Sequence, residues 1–288
     1  MKNWVAQADV ADPVGTLETI LENLAVNLIA TERKSLVTCA ADESITTVVE
    51  RNQVDRFDYM PVTQSDVGRA ASPTKIIGLL ELVPFIDGMN KPHGLVRERM
   101  HSLSEENLIG ADASILAFVR DADRQKCRLV VSGREISGLV SLSDLQRLPV
   151  RAVLFAMVTH LEIVMAYSIR RELSDSTDWL GRLSPGRQKK LKEHAKDSRS
   201  DDSFVDMLLF TQFSDKIDII KKSPNFLFGR KKFEKELKNV EKLRNKLAHA
   251  NDYAASRDAA SCVCETVRVM DDWIHRLSSW QRQPLAKD

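Results

Sequence analysis

Ala41-Asp42-Glu43-Ser44-Ile45 recurs 70 residues further on as Ala111-Asp112-Ala113-Ser114-Ile115. Each stretch sets an acid and a serine before an apolar-periodic run, the pattern of a helix start. Each is followed by a short β-type run, Tyr59-Met60-Pro61-Val62 in the first copy and Arg128-Leu129-Val130-Val131 in the second. Each closes on a glycine-led strand, Ile77-Gly78-Leu79-Leu80-Glu81-Leu82 and then Ser137-Gly138-Leu139-Val140-Ser141-Leu142. Tandem units that alternate helix with strands predict an α/β region.

The offset between the copies shrinks from 70 residues at the helix start to 60 at the closing glycine. The first copy therefore holds a longer loop between its strands, and Gln64 to Pro73 has loop composition. The second copy turns tightly through Ser132-Gly133-Arg134-Glu135. From Val150 onward the periodicity becomes helical. Helices are predicted over Arg151–Leu173, from Ser184-Pro185, over Asp202–Lys222, from Phe233 to about His249, and from Ala255 to Trp280. The last of these carries Trp273 and Trp280 seven apart, as a core or dimer stripe. Phe204, Leu208, Phe213, Ile217 and Ile220 are expected in the core. Short connections between helices predict a bundle. The expected organisation is an extension at 1–19, an α/β pair at 20–149 and an all-α bundle at 150–288.

The chain has 288 residues, 43% hydrophobic and 29% charged, enough for about two globular domains. Net charge is only +1, so no global field points to a polyanion. Its distribution is uneven. Residues 1–100 carry 10 Lys and Arg against 14 Asp and Glu, whereas residues 185–250 carry 17 against 10. A basic second half suits an anionic partner, although a solvated lysine face reads the same way.

Cys39, Cys127, Cys262 and Cys264 show no zinc spacing, and no metal site is expected. The N-terminus lacks a basic segment followed by an apolar run, so a reducing, cytoplasmic setting is expected. Ala152 to Ile169 approaches membrane-spanning length, but Thr159, His160 and Glu162 interrupt it. A carboxylate at the bilayer centre costs about 3 kcal/mol on insertion scales. A helix buried in a bundle, with no membrane, is the expectation.

The repeated helix start, together with the closing Gly-hydrophobic-x-Ser-x-x-Asp of the second copy, resembles the CBS motif. Two copies make what that family calls a Bateman module. The resemblance covers about residues 20–149. It implies a regulatory adenine nucleotide bound at the closing Ser-x-x-Asp. The hydroxyl would meet phosphate at a helix N-terminus and the carboxylate would accept from ribose. The second copy matches with Ser141 and Asp144. The first has Glu81-Leu82-Val83-Pro84 there, so one site is expected rather than two. Ser-x-x-Asp is equally an ordinary helix cap.

Arg244-Asn245-Lys246-Leu247-Ala248-His249, late in a predicted helix, resembles the HEPN family motif of Arg, four residues, then His. That resemblance spans about residues 150–280. It implies a homodimer whose two motifs line one cleft and cleave RNA without a metal or catalytic cofactor. On a regular helix Arg244 and His249 point about 140° apart, while Asn245 and His249 share a face. In the implied reaction the RNA 2′-hydroxyl attacks the adjacent phosphorus. His249 serves as general acid or base, Arg244 stabilises the phosphorane, and Asn245 orients the histidine or bonds a phosphate oxygen. Glu162 and Asp215 are supporting candidates, with Lys216 and His160 beside them. A dipole-favoured terminal histidine and a surface pair of Arg244 with Glu241 or a neighbour remain open readings.

The layout is analogous to nucleotide-activated ribonucleases of prokaryotic defence, an analogy of architecture alone. The rival expectation is a non-catalytic regulator that uses its bundle for dimerisation or for binding RNA or a partner.

Overall fold

The computed structural model describes residues 13–64, 75–172, 178–198, 207–249 and 251–282. The chain divides into two compact units. One comprises Ala25–Ser114 with Asp121–Asp144, and the other Met1–Leu24, Ile115–Arg120 and Leu145–Asp288.

The first unit is built on two four-stranded sheets. One contains β2 (Cys39–Ala40), β3 (Tyr59–Thr63), β4 (Ile76–Glu81) and β5 (His101–Ser102), in that order. The other has the order β1 (Thr31–Glu32), β8 (Glu135–Ser141), β7 (Cys127–Ser132), β6 (Leu108–Gly110). Each sheet repeats one pattern. A short strand pairs parallel to the first long strand, which pairs antiparallel to the closing strand. An edge strand from outside the repeat then completes the sheet. β5 covers β4, and the N-terminal β1 covers β8.

The two repeat glycines follow from that edge strand. A Cβ on Gly78 would lie 2.4 Å from the His101 carbonyl oxygen, and one on Gly138 would lie 2.5 Å from that of Thr31. In both repeats the edge backbone passes where a side chain would stand.

The predicted helix starts hold. α2 (Ile45–Asp55) follows Ser44 and α4 (Ile115–Asp121) follows Ser114. Ile45 and Val48 of α2 are fully buried with Met60, Val62, Leu80 and Val96 in the core of the first repeat. A second cluster joins Ile76, Leu79, Cys127 and Leu129. The tight turn of the second copy is the Gly133-Arg134 hairpin, with Gly133 at φ +59°. The loop expected after Gln64 lies mostly outside the described residues.

The second unit is helical. α5 (Leu148–Glu172) runs through it, packed against α1 (Pro13–Asn23), α7 (Phe213–Lys221), α8 (Arg230–Ala248) and α9 (Arg257–Arg282). α3 (Val83–Ile86) belongs to the first unit, and α6 (Pro185–Ser198) to the second. α5 is long and apolar enough to cross a membrane by composition, but 56% of its most apolar window is buried within the protein.

The third bundle helix differs from expectation. It begins at Phe213 rather than near Asp202, because Gln212 and Asp215 form a capping box there. A 3-10 turn, Met207–Phe210, precedes it. Leu208, Phe213, Ile217 and Ile220 are buried as expected, while Phe204 lies outside the described residues. Trp273 is buried against Phe233 and Phe226, and its indole N–H donates to Glu236 at 2.8 Å.

Candidate functional site

Four bundle helices carry a cluster of charged side chains. Glu162 stands midway along α5, Lys216 and Asp215 in the first turn of α7, Arg244 in the last turns of α8, and Arg187 near the start of α6. Glu162 Oε1 is buried and accepts no hydrogen bond among the described residues. Arg244 Nε lies 3.6 Å from it, at ion-pair distance. The other oxygen of the same carboxylate lies 4.0 Å from Lys216 Nζ. Lys216 is 6% exposed and donates to the Thr211 carbonyl at 3.0 Å. Burial pulls its ammonium below the ordinary lysine range, and the carboxylates of Glu162 and Asp215 oppose that shift. A buried ammonium carries a desolvation cost that these acceptors only partly offset.

Arg244 is the half-buried member. Its side chain is 41% exposed, and Nη1 donates to Asn245 Oδ1 at 3.3 Å. The guanidinium thus has its Nε edge on Glu162 and Nη1 on Asn245, with the side chain still partly exposed. Asn245 and His249 are exposed. The backbone N–H of His249 donates to the Asn245 carbonyl at 3.1 Å, which makes the histidine the C-cap of α8. The structure therefore joins Arg244 to Glu162 and Lys216, and leaves His249 at the helix end. No described contact joins the imidazole to the guanidinium within the chain, as the helical angle requires. The ion pair that Arg244 makes is with Glu162.

Asp215 works on the fold. Its carboxylate takes two bonds from the Arg187 guanidinium, one of them 2.9 Å long, and a third from the Gln212 N–H at 2.8 Å. It closes the first turn of α7 and ties α6 to it.

Arg151 went unmarked in the sequence, yet it sets the position of the motif. From the first turns of α5 it donates to the Leu247 carbonyl at 3.1 Å and to the Asn251 carbonyl at 2.9 Å. Leu247 is among the last residues of α8, whose carbonyls lack helical partners. The same guanidinium lies 5.0 Å from the Tyr253 ring centroid, and the Tyr253 hydroxyl donates to the Leu145 carbonyl. Tyr253 is buried, and burial raises its phenol to about 12. The signal available in sequence was a lone arginine opening an apolar helix.

In the α/β unit the described cleft holds about 410 Å³ and is lined by Tyr59, Glu81, His101, Asn107, Arg124 and Lys126 among others. The Tyr59 hydroxyl donates to Glu81 at 3.0 Å. Burial, with the neighbouring Glu81 charge, raises the Tyr59 phenol. Arg124 and Lys126 are exposed, and no described ion pair occupies either. Ser141 and Asp144 do not line this cleft. The Asp144 carboxylate accepts the Ser141 N–H at 2.7 Å and the Ser141 hydroxyl at 3.2 Å, closing its own turn. Here the capping role is the one the geometry displays.

No family model and no curated protein matches the chain. Solved structures do. The CBS domain of a bacterial CNNM/CorC family Mg2+ transporter, in complex with ATP, is 18% identical over 46% of this chain and 92% of that one, with a TM-score of 0.36. A hemolysin-like protein containing a CBS domain, from Oenococcus oeni, is 14% identical over 46% of this chain and 94% of that one, with a TM-score of 0.35. A CBS domain protein from Thermoplasma acidophilum is 18% identical over 46% and 75%, with a TM-score of 0.32. The α/β half repeats one strand pattern in two four-stranded sheets.

Proposed function

We propose that the protein is a metal-independent endoribonuclease of the HEPN type, active as a homodimer and regulated by an adenine nucleotide held in its CBS-like half. The observation that supports this best is the Glu162–Arg244–Lys216 cluster, whose Arg244 shares α8 with Asn245 and the capping His249. A half-exposed guanidinium held by Glu162 and Asn245 is suited to a phosphodiester, because its planar fork has more donors than these two partners take. The reaction needs one proton removed from the 2′-hydroxyl and one delivered to the departing 5′-oxygen as the P–O5′ bond breaks. The products are a 2′,3′-cyclic phosphate and a free 5′-hydroxyl. His249 moves a proton, Arg244 holds the phosphorane charge, and Asn245 orients the imidazole. A second copy supplies the other set, since one helix presents Arg244 and His249 in different directions.

The nucleotide reading rests on the cleft. Arg124 and Lys126 offer cations for phosphate, and the Tyr59–Glu81 pair offers acceptors for a sugar or base edge. Ser141 and Asp144 are the second candidate, provided a ligand takes over the bonds that now close their turn.

The test is incubation of the purified protein with structured and unstructured RNA in EDTA, with and without AMP, ADP or ATP. Cleavage lost in His249→Ala and Arg244→Ala is the expected result. RNA binding without cleavage under every nucleotide would favour a non-catalytic regulator, in which Glu162 merely neutralises Arg244.

A further inference from the structure

The outer face of α8 carries a row of cations that the site above does not use. Lys231, Lys235, Lys238, Lys242 and Lys246 are all exposed, and the row ends at His249. Their spacings of four, three, four and four residues keep them within an arc of about 80°. At 1.5 Å per residue the row from Lys231 to His249 is about 27 Å long. Successive lysine positions are then about 6 Å apart along the axis, similar to the phosphate repeat of an extended strand.

Two of the three acids of this helix are engaged by other elements, and Glu241 stands beside the row. Glu236 accepts from the Trp273 indole. Glu234 is bound by Lys221 of α7 as well as by Lys238. No described ion pair occupies Lys231, Lys235, Lys242 or Lys246, so their charge faces solvent. Beside the N-terminal half of the row runs a groove of about 480 Å³ between α8 and α9. Lys231 and Lys235 form one wall, with Asn239 beside them, and Glu265 lies in the other. An amide and a carboxylate there can meet a base edge while the lysines meet phosphates.

We infer that the outer face of α8 is a track for single-stranded RNA, which leads the strand along the lysine row to the Arg244–His249 end. The inference rests on the nuclease reading only in placing the scissile linkage at that end; the track itself is a binding site. Lysines along a row bind backbone with little preference for sequence, and the strand would pay for its ordering through counterion release.

The test separates binding from cleavage. The full chain carrying His249→Ala is titrated into a fluorescein-labelled 2′-O-methyl uridine 20-mer, which has no free 2′-hydroxyl, and anisotropy is read at several salt concentrations. The K231Q/K235Q/K242Q/K246Q variant is expected to bind at least about tenfold more weakly at low salt, with a log–log salt slope shallower by about 3, since each phosphate contact on single strands contributes about 0.7. Glutamine matches lysine in helix propensity, so circular dichroism should show unchanged helicity. A control, K189Q/K190Q/K192Q/K196Q on α6, should bind as the parent does. Equal affinity of the α8 variant, or an equal loss in the α6 control, overturns the track. So does a poly-glutamate peptide that binds as tightly as the RNA with the same dependence on the row, since that would assign the face to an acidic protein. Tight, row-dependent RNA binding by a protein that never cleaves would sink the nuclease and leave the track standing.

Discussion

The Glu162 carboxylate lies 3.6 Å from the Arg244 guanidinium while its second oxygen faces the Lys216 ammonium at 4.0 Å. One acid from the longest apolar stretch thus serves two cations from two other helices. Removing its charge should loosen Arg244 without emptying the core. Glu162→Gln is expected to lower RNA cleavage about tenfold, and Arg244→Ala by about 10²–10³-fold, the usual cost of losing a transition-state donor. Single-turnover rates in EDTA measure both. Wild-type rates in the two variants would remove this cluster from the chemistry.

Lys216 links the same cluster to alkaline stability. Its ammonium is held below its ordinary range mainly by burial. Between the folded and unfolded values the unfolded chain binds more protons, so stability rises with pH across that window. At lower pH the penalty is present in full. Lys216→Met should abolish the alkaline rise, and at neutral pH should destabilise, because Glu162 and the Thr211 carbonyl each lose a partner. Urea midpoints from about pH 7 to 10 read the effect. Parallel profiles for the two proteins would show that Lys216 is not the source.

The two repeat glycines should fail in the same way. Gly78→Ala and Gly138→Ala each drive a methyl group onto an edge-strand carbonyl. Each is expected to cost about 1–3 kcal/mol through overpacking. Gly133→Ala meets no atom within 4 Å, but its φ is +59°, so it should cost about 1 kcal/mol through backbone strain alone. Denaturant midpoints of the three variants separate steric from conformational cost. A neutral Gly138→Ala would mean that β1 does not lie on β8.

For the nucleotide, the geometry distinguishes two places. Arg124→Ala and Lys126→Ala should each weaken ATP binding about tenfold by calorimetry, the scale of a charged contact. Asp144→Ala should lower the unfolding midpoint, because the Ser141 N–H loses its acceptor. If Asp144→Ala instead abolishes binding at unchanged stability, the ligand belongs to the closing turn.

Arg151 should act from a distance. Arg151→Ala removes both bonds that hold the end of α8 and the turn after it. A loss of about 2 kcal/mol is expected from the charged hydrogen bonds. Cleavage should fall with it, and Arg151→Lys should restore only part, since one ammonium does not reproduce the two-carbonyl fork. Full recovery in the lysine variant would reduce the role to charge alone.

Local pattern carried much of this protein. The doubled Asp-x-Ser-Ile helix start, the glycine in each closing strand and the helical period after Val150 were legible, because they depend on neighbours a few residues away. The late helix bearing Arg244 and His249 was legible for the same reason, as was the angle that separates them. Other features needed the packed chain. Arg244 pairs with Glu162, 82 positions earlier in the sequence, because packing of α5 against α8 sets which acid the guanidinium meets. Asp215 became a cap and an anchor for Arg187, and Arg151 a clamp on α8, since hydrogen-bond partners are chosen by proximity in space. The reason for the two glycines likewise lies outside their own strands, in a carbonyl that only sheet assembly brings within 2.5 Å.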